Sequence, residues 1–146
     1  MGLMNRTATR RTRGDAAENV TLRLPGKLRH ALELLAQKRG VSMSRVMVEA
    51  LEQMCRDPDS GLSKVPSDGE LTYLPDLTWD ALEPDRLVKL ATHAPDLMND
   101  EQAQQWKVIV EDTALYRAGK PQLRQIRERW ADVTATAKSL LAKFGR

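Results

Sequence analysis

In Asn19-Val20-Thr21-Leu22-Arg23-Leu24-Pro25, apolar and polar residues alternate strictly, the alternation stops at a proline, and a helical period begins directly after it. Side chains of an extended strand point alternately to two faces, so Val20, Leu22 and Leu24 share one face and Asn19, Thr21 and Arg23 the other. A lone strand leaves its backbone groups unpaired, and the nearest candidate to pair with it is the same strand of a second copy. Two such strands make a ribbon that fits the major groove of DNA. There an Asn, a Thr and an Arg have the groups to read base-edge donors and acceptors.

Two helices are expected next. Leu28, Ala31, Leu32, Leu35 and Ala36 recur at helical spacing, and Lys38, Arg39 and Gly40 form a basic last turn with a glycine stop. Ser42 is a good N-cap for a second helix whose face is Val46, Met47, Ala50, Leu51 and Met54, ending near Arg56 before Pro58. The strand, its closing proline, the two helices and the Gly40-Val41-Ser42-Met43-Ser44 turn together resemble the ribbon-helix-helix family, the Arc and MetJ type of DNA-binding protein. The resemblance covers residues 18–57 only. It implies an intertwined homodimer with antiparallel strands, base reading by Asn19, Thr21 and Arg23, and a phosphate grip at Ser42, Met43 and Ser44. Free amides, the helix dipole and two hydroxyls at that helix start suit an anion. Many family members carry a basic residue where this chain has Met43, and often a basic or polar one where it has Val48, which implies a weaker grip here.

Charge is segmented in a way that the net +3 conceals. Residues 1–57 carry eleven Lys/Arg against six Asp/Glu, residues 58–112 four against twelve, and residues 113–146 eight against two. A basic N-terminal part suits a polyanion, whereas DNA would repel the acidic middle. Residues 1–17, with Arg6, Arg10, Arg11 and Arg13 among small and polar residues, read as a disordered basic arm that adds phosphate or minor-groove contacts or serves as a solubilising tail. No apolar run approaches the roughly 20 residues of a membrane helix, and the N-terminus lacks the apolar middle of a signal peptide, so a cytoplasmic protein without a membrane partner is expected. The only cysteine, Cys55, and the distant His30 and His93 give no metal-ligand spacing.

Residues 58–69, dense in Pro, Ser, Gly and Asp, read as a linker. Residues 70–146 read as a helical oligomerisation or partner-binding region. There Thr78 caps a turn through Leu82, and Pro84 opens a helix with Leu87, Val88 and Leu90. Asn99 starts a longer helix running to Ala118, with Trp106, Ile109, Val110 and Ala114 on its packed face, and Pro121 opens the last one. In that last helix Leu123, Ile126, Trp130, Val133, Ala137, Leu140 and Phe144 fall at alternating steps of three and four, a heptad seam that wants a partner helix. The partner is either the acidic helix before it or another copy. Trp79, Trp106 and Trp130 read as core anchors.

No glycine-rich phosphate loop, nucleophile triad or His/Glu metal motif stands out, and Asp80, Glu83 and Asp85 read as solvated charge near a helix start. The expectation is therefore a mostly α protein, not an enzyme and without cofactor or metal: an N-terminal ribbon-helix-helix dimer (one strand, two helices) with a helical C-terminal region. Its expected partners are double-stranded DNA, itself as dimer or tetramer, and a protein bound by residues 70–146. The resemblance implies a transcriptional repressor or autoregulator, with a plasmid relaxosome or partition accessory protein and an antitoxin as alternatives.

Overall fold

The computed structural model describes residues 16–64, 69 and 71–144. It is mostly helical and divides into two compact units, one over Glu18–Leu77 and one built from Thr78 onward. The first unit extends past the expected boundary at residue 57.

In the first unit, residues 16–25 belong to no helix or strand, so the expected strand over 19–24 is not formed within a single chain. The physical reason lies in the ladder itself. A strand is defined by hydrogen bonds to a neighbour, and among the described residues none pairs with this segment. Helix α1 (Gly26–Arg39) follows Pro25 and ends at Gly40, whose φ of 66° is left-handed. The Gly40 N–H donates to Gln37 O at 3.2 Å and the Val41 N–H to Ala36 O at 3.1 Å, which satisfies carbonyls at the helix end. Helix α2 (Met43–Arg56) starts at Ser42, whose hydroxyl accepts the Arg45 N–H at 3.1 Å.

The segment expected to be a plain linker is partly structured. A 3-10 turn over Pro58–Ser60 is tied to the end of α2, with the Ser60 hydroxyl donating to Cys55 O at 2.8 Å. Strand β1 (Ser63–Lys64) pairs antiparallel with β2 (Thr72–Tyr73), Ser63 opposite Tyr73, and α3 (Leu74–Thr78) follows. The Arg56 guanidinium lies 4.6 Å from the centre of the Tyr73 ring, so the hairpin closes against the last turn of α2. Burial first, and then the neighbouring Cys55, raise the Tyr73 hydroxyl above the ordinary tyrosine range.

The second unit contains α4 (Glu83–His93), α5 (Asp100–Glu111), the hairpin β3 (Tyr116–Arg117) and β4 (Lys120–Pro121), then α6 (Leu123–Glu128) and α7 (Trp130–Phe144). Asn99 and Gln102 form a reciprocal capping box at the start of α5. The core joins Leu87 and Val88 of α4, Ile109 of α5, Leu115, Ile126 of α6 and Val133 of α7, with Met98, Trp106, Val108, Tyr116 and Trp130 packed around them. Burying an aliphatic side chain of this size contributes about 1.5–3 kcal/mol.

Three expectations about this unit change. Helix α5 ends at Glu111 rather than Ala118, because Asp112 turns the chain: its carboxylate accepts the Ala114 N–H at 2.8 Å and its carbonyl the Tyr116 N–H at 2.9 Å. Gly119 and Pro121 therefore belong to the β3–β4 hairpin, not to a helix stop and a helix start. The last helix is two helices, since Arg129 leaves helical torsions (φ −107°, ψ 17°) and reaches Asp112 with its guanidinium at 3.0 Å. Finally, Trp79 is exposed rather than a core anchor, with the Arg86 guanidinium 4.9 Å from its ring centre.

Candidate nucleic-acid interface

Asn19, Thr21 and Arg23 are all exposed. Val20 and Leu22 on the opposite face are exposed as well, at 86% and 67%, with no described residue covering them. Arg23 and Arg29 rim an open groove of ≈ 530 Å³ whose apolar lining is Val20, Leu22, Leu24, Met43 and Met47. The groove brings the segment before Pro25 against the start of α2, the two places that the sequence marked separately. Arg29 and Met47 were not among the marked site residues. The signal for Arg29 was its place one turn into α1, on the side that also carries Pro25 O, which accepts the Arg29 N–H at 3.0 Å.

At the α2 start Ser42 is exposed with its hydroxyl already capping, Met43 is half-buried, and Ser44 is exposed. The Ser44 hydroxyl thus stands beside a helix N-terminus, where amides and dipole favour an anion. The cations nearby are partly engaged: Arg45 bonds Glu49 at 3.1 Å, Arg39 approaches the same carboxylate at 3.6 Å, and Arg29 lies 3.4 Å from Glu33. Such exposed pairs are worth well under about 1 kcal/mol and exchange readily for a phosphate. Arg6, Arg10, Arg11 and Arg13 lie outside the described residues.

The helices of this unit carry a second feature. Leu28 and Leu34 on α1, and Val48, Leu51 and Met54 on α2, are all exposed, Met54 at 70%, while among the unit's described residues only Ala36, Val46 and Leu74 are buried. Val48, Leu51 and Met54 recur every three residues and form one apolar stripe along α2.

In the second unit the heptad seam is divided. Ile126, Val133 and Ala137 are buried inside the unit, with α7 packed along α5; Trp130 and Leu140 are half-buried; Leu123 and Phe144 are exposed. Its acidic trio is also not uniformly solvated. Asp85 is buried and holds Arg127 through two hydrogen bonds, Nε to Oδ1 at 2.8 Å and the terminal nitrogen to Oδ2, which raises the Arg127 pKa further. Asp80 accepts Lys89 Nζ at 2.8 Å and the Leu82 N–H at 2.9 Å, and these bonds lower its pKa. Glu83 alone is exposed at the first turn of α4. Among the described residues no three His, Cys, Asp or Glu side chains gather as a metal site, and no helix is long and apolar enough to cross a membrane.

Compared with known proteins, the chain matches no family model, no curated protein and no solved structure.

Proposed function

We propose that the first unit is the DNA-binding half of a homodimer of the ribbon-helix-helix kind and that the protein acts as a sequence-specific transcriptional repressor or autoregulator. The observation that carries this reading is the exposed apolar surface of a short helical pair, Leu28, Val48, Leu51 and Met54, beside a segment that exposes Val20 and Leu22 and whose backbone has no ladder among the described residues. A second copy supplies what both lack: a strand for residues 19–24 and an apolar face for the α2 stripe. Pairing the two segments puts Asn19, Thr21 and Arg23 of each copy on the outer face of a ribbon. Arg23 then has the geometry for a bidentate contact to guanine, worth about 1–3 kcal/mol of discrimination. Ser42 and Ser44 at the α2 start hold the flanking phosphate, with Met43 adding apolar contact instead of charge.

A second reading, an accessory protein of a plasmid relaxosome or partition complex, is favoured by one observation: the residues from Thr78 onward have a core of their own, as a recruitment module would. Mapping bound DNA across the native genome separates the two. Peaks at the protein's own promoter support the repressor, and a peak at a transfer origin or centromere supports the accessory role. At the molecular level, Arg23→Ala should lose specific binding while the protein stays folded and dimeric. Unchanged affinity and sequence preference in that variant would remove the ribbon as the reading surface.

A further inference from the structure

The β3–β4 hairpin holds two unfavourable features at its tip. Arg117 and Lys120 are direct cross-strand partners, and like charges opposite each other on a hairpin destabilise it. Between them Ala118 has a φ of 52°, the left-handed region that side chains other than glycine's avoid. The tip is nonetheless held firmly. Tyr116 packs edge-on against Trp106 with ring centres 6.0 Å apart, its hydroxyl donates to Gly119 O at 3.1 Å, and the Gln122 N–H donates to Leu115 O at 2.7 Å. In the α6 segment that follows, each arginine is paired, Arg124 with Glu128, Arg127 with Asp85 and Arg129 with Asp112. Arg117 and Lys120 are exposed and have no ion-pair partner among the described residues. A rigid turn that keeps two uncompensated cations side by side against local cost is a place where an external anion is expected.

We propose that this hairpin tip is a second contact to the phosphate backbone of duplex DNA, separate from the ribbon and indifferent to sequence. The chemistry selects a polyanion over a folded protein. A protein partner would bury an apolar centre, and the tip offers only Ala118 and Gly119 between its charges. That small, flat tip instead lets both cations and the turn backbone approach a phosphate row closely. The proposal takes the identity of the polyanion from the DNA-binding reading above.

The test is binding of the full-length protein to random-sequence and specific duplexes across a range of salt concentrations. Arg117→Gln combined with Lys120→Gln should weaken binding to both duplexes by the same factor and lower the slope of log affinity against log salt by about 1 to 2, at roughly 0.9 per lost phosphate contact. Arg117→Lys combined with Lys120→Arg should restore the slope, which separates lost charge from a damaged hairpin. An unchanged slope in the Gln variant, or failure of the charge-preserving variant to restore it, overturns the hairpin contact. If Arg23→Ala is silent while the Gln variant behaves as expected, the ribbon reading falls and the hairpin contact stands; wild-type protein that binds no duplex overturns both.

Discussion

The two units solve the same problem differently. From Thr78 onward a short stretch of chain buries Leu87, Val88, Ala94, Ile109, Leu115, Ile126, Val133 and Ala137, whereas the described residues of Glu18–Leu77 bury only Ala36, Val46 and Leu74 and leave Val48, Leu51 and Met54 to solvent. Ordering a backbone costs about 1–2 kcal/mol per residue and each buried aliphatic side chain of this size returns about 1.5–3 kcal/mol, so the first arrangement recovers more of that cost within one chain than the second. On the proposed dimer, the half with the smaller interior makes up the difference by association.

The largest expected effect tests that half. Leu51→Asp places a charge in the middle of the α2 stripe, so on the proposed dimer it should abolish self-association and the cooperative melting of a fragment covering residues 16–77. In the unaltered fragment the melting temperature should rise with protein concentration. A fragment that melts cooperatively at a temperature independent of concentration would break the comparison. Next in size, Ile109→Ala should cost the second unit about 2–5 kcal/mol, lowering its calorimetric transition regardless of concentration. A shift of the first unit's transition by the same amount would show that the two cores are not independent.

The comparison also explains what was legible in the sequence. Helices α1 and α2 could be read to within a residue or two because their limits are local: Pro25, Gly40 and Ser42 act through the backbone beside them. The segment 19–24 could be read as an alternating pattern but not as a strand, since among the described residues no neighbouring strand pairs with it. The end of α5 was missed because Asp112 and Thr113 interrupt no apolar period, and the carboxylate that turns the chain competes with the helix only through its own neighbours. Asp85 read as solvated because its partner, Arg127, is 42 residues away. For the candidate site, alternation groups Asn19, Thr21 and Arg23 on one face although both faces of the segment are exposed, while the groove that joins Arg23 to Met43 and Met47 depends on how α1 and α2 fold back on each other.

A smaller effect sharpens the account of the self-sufficient unit. The Asp80 carboxylate titrates below its ordinary value because it accepts Lys89 Nζ and the Leu82 N–H. A depressed folded-state pKa contributes stability that is fully present above the unfolded value, near 4, and is lost as pH falls through the folded one. The second unit should therefore weaken on acidification below about pH 4, and Asp80→Asn should remove about 0.5–1 kcal/mol at neutral pH and flatten that part of the profile in acid titration followed by circular dichroism. An Asp80→Asn protein with the unaltered acid profile would assign the loss to other carboxylates. The smallest change is Ala118→Gly. Relief of a left-handed penalty of about 1 kcal/mol, less the added freedom of an unfolded glycine, should stabilise the second unit by about 0.5 kcal/mol and raise its melting temperature slightly. A lower melting temperature would mean that the methyl group contributes packing at the turn.

The bond between Asp85 and Arg127 has a consequence for biosynthesis. The acid leaves the ribosome 42 residues ahead of its guanidinium, an interval of about 2–8 s at 5–20 residues per second. Until Arg127 emerges, closing α4 against its neighbours would bury an uncompensated carboxylate, which is strongly unfavourable. The nascent second unit is thus expected to stay open until α6 arrives, while on the proposed dimer the residues of α1 and α2 are already free to meet those of another nascent chain. Ribosome-bound chains halted just after Gln122 has emerged should remain open to protease within residues 83–111, and chains halted after the exit of Phe144 should not.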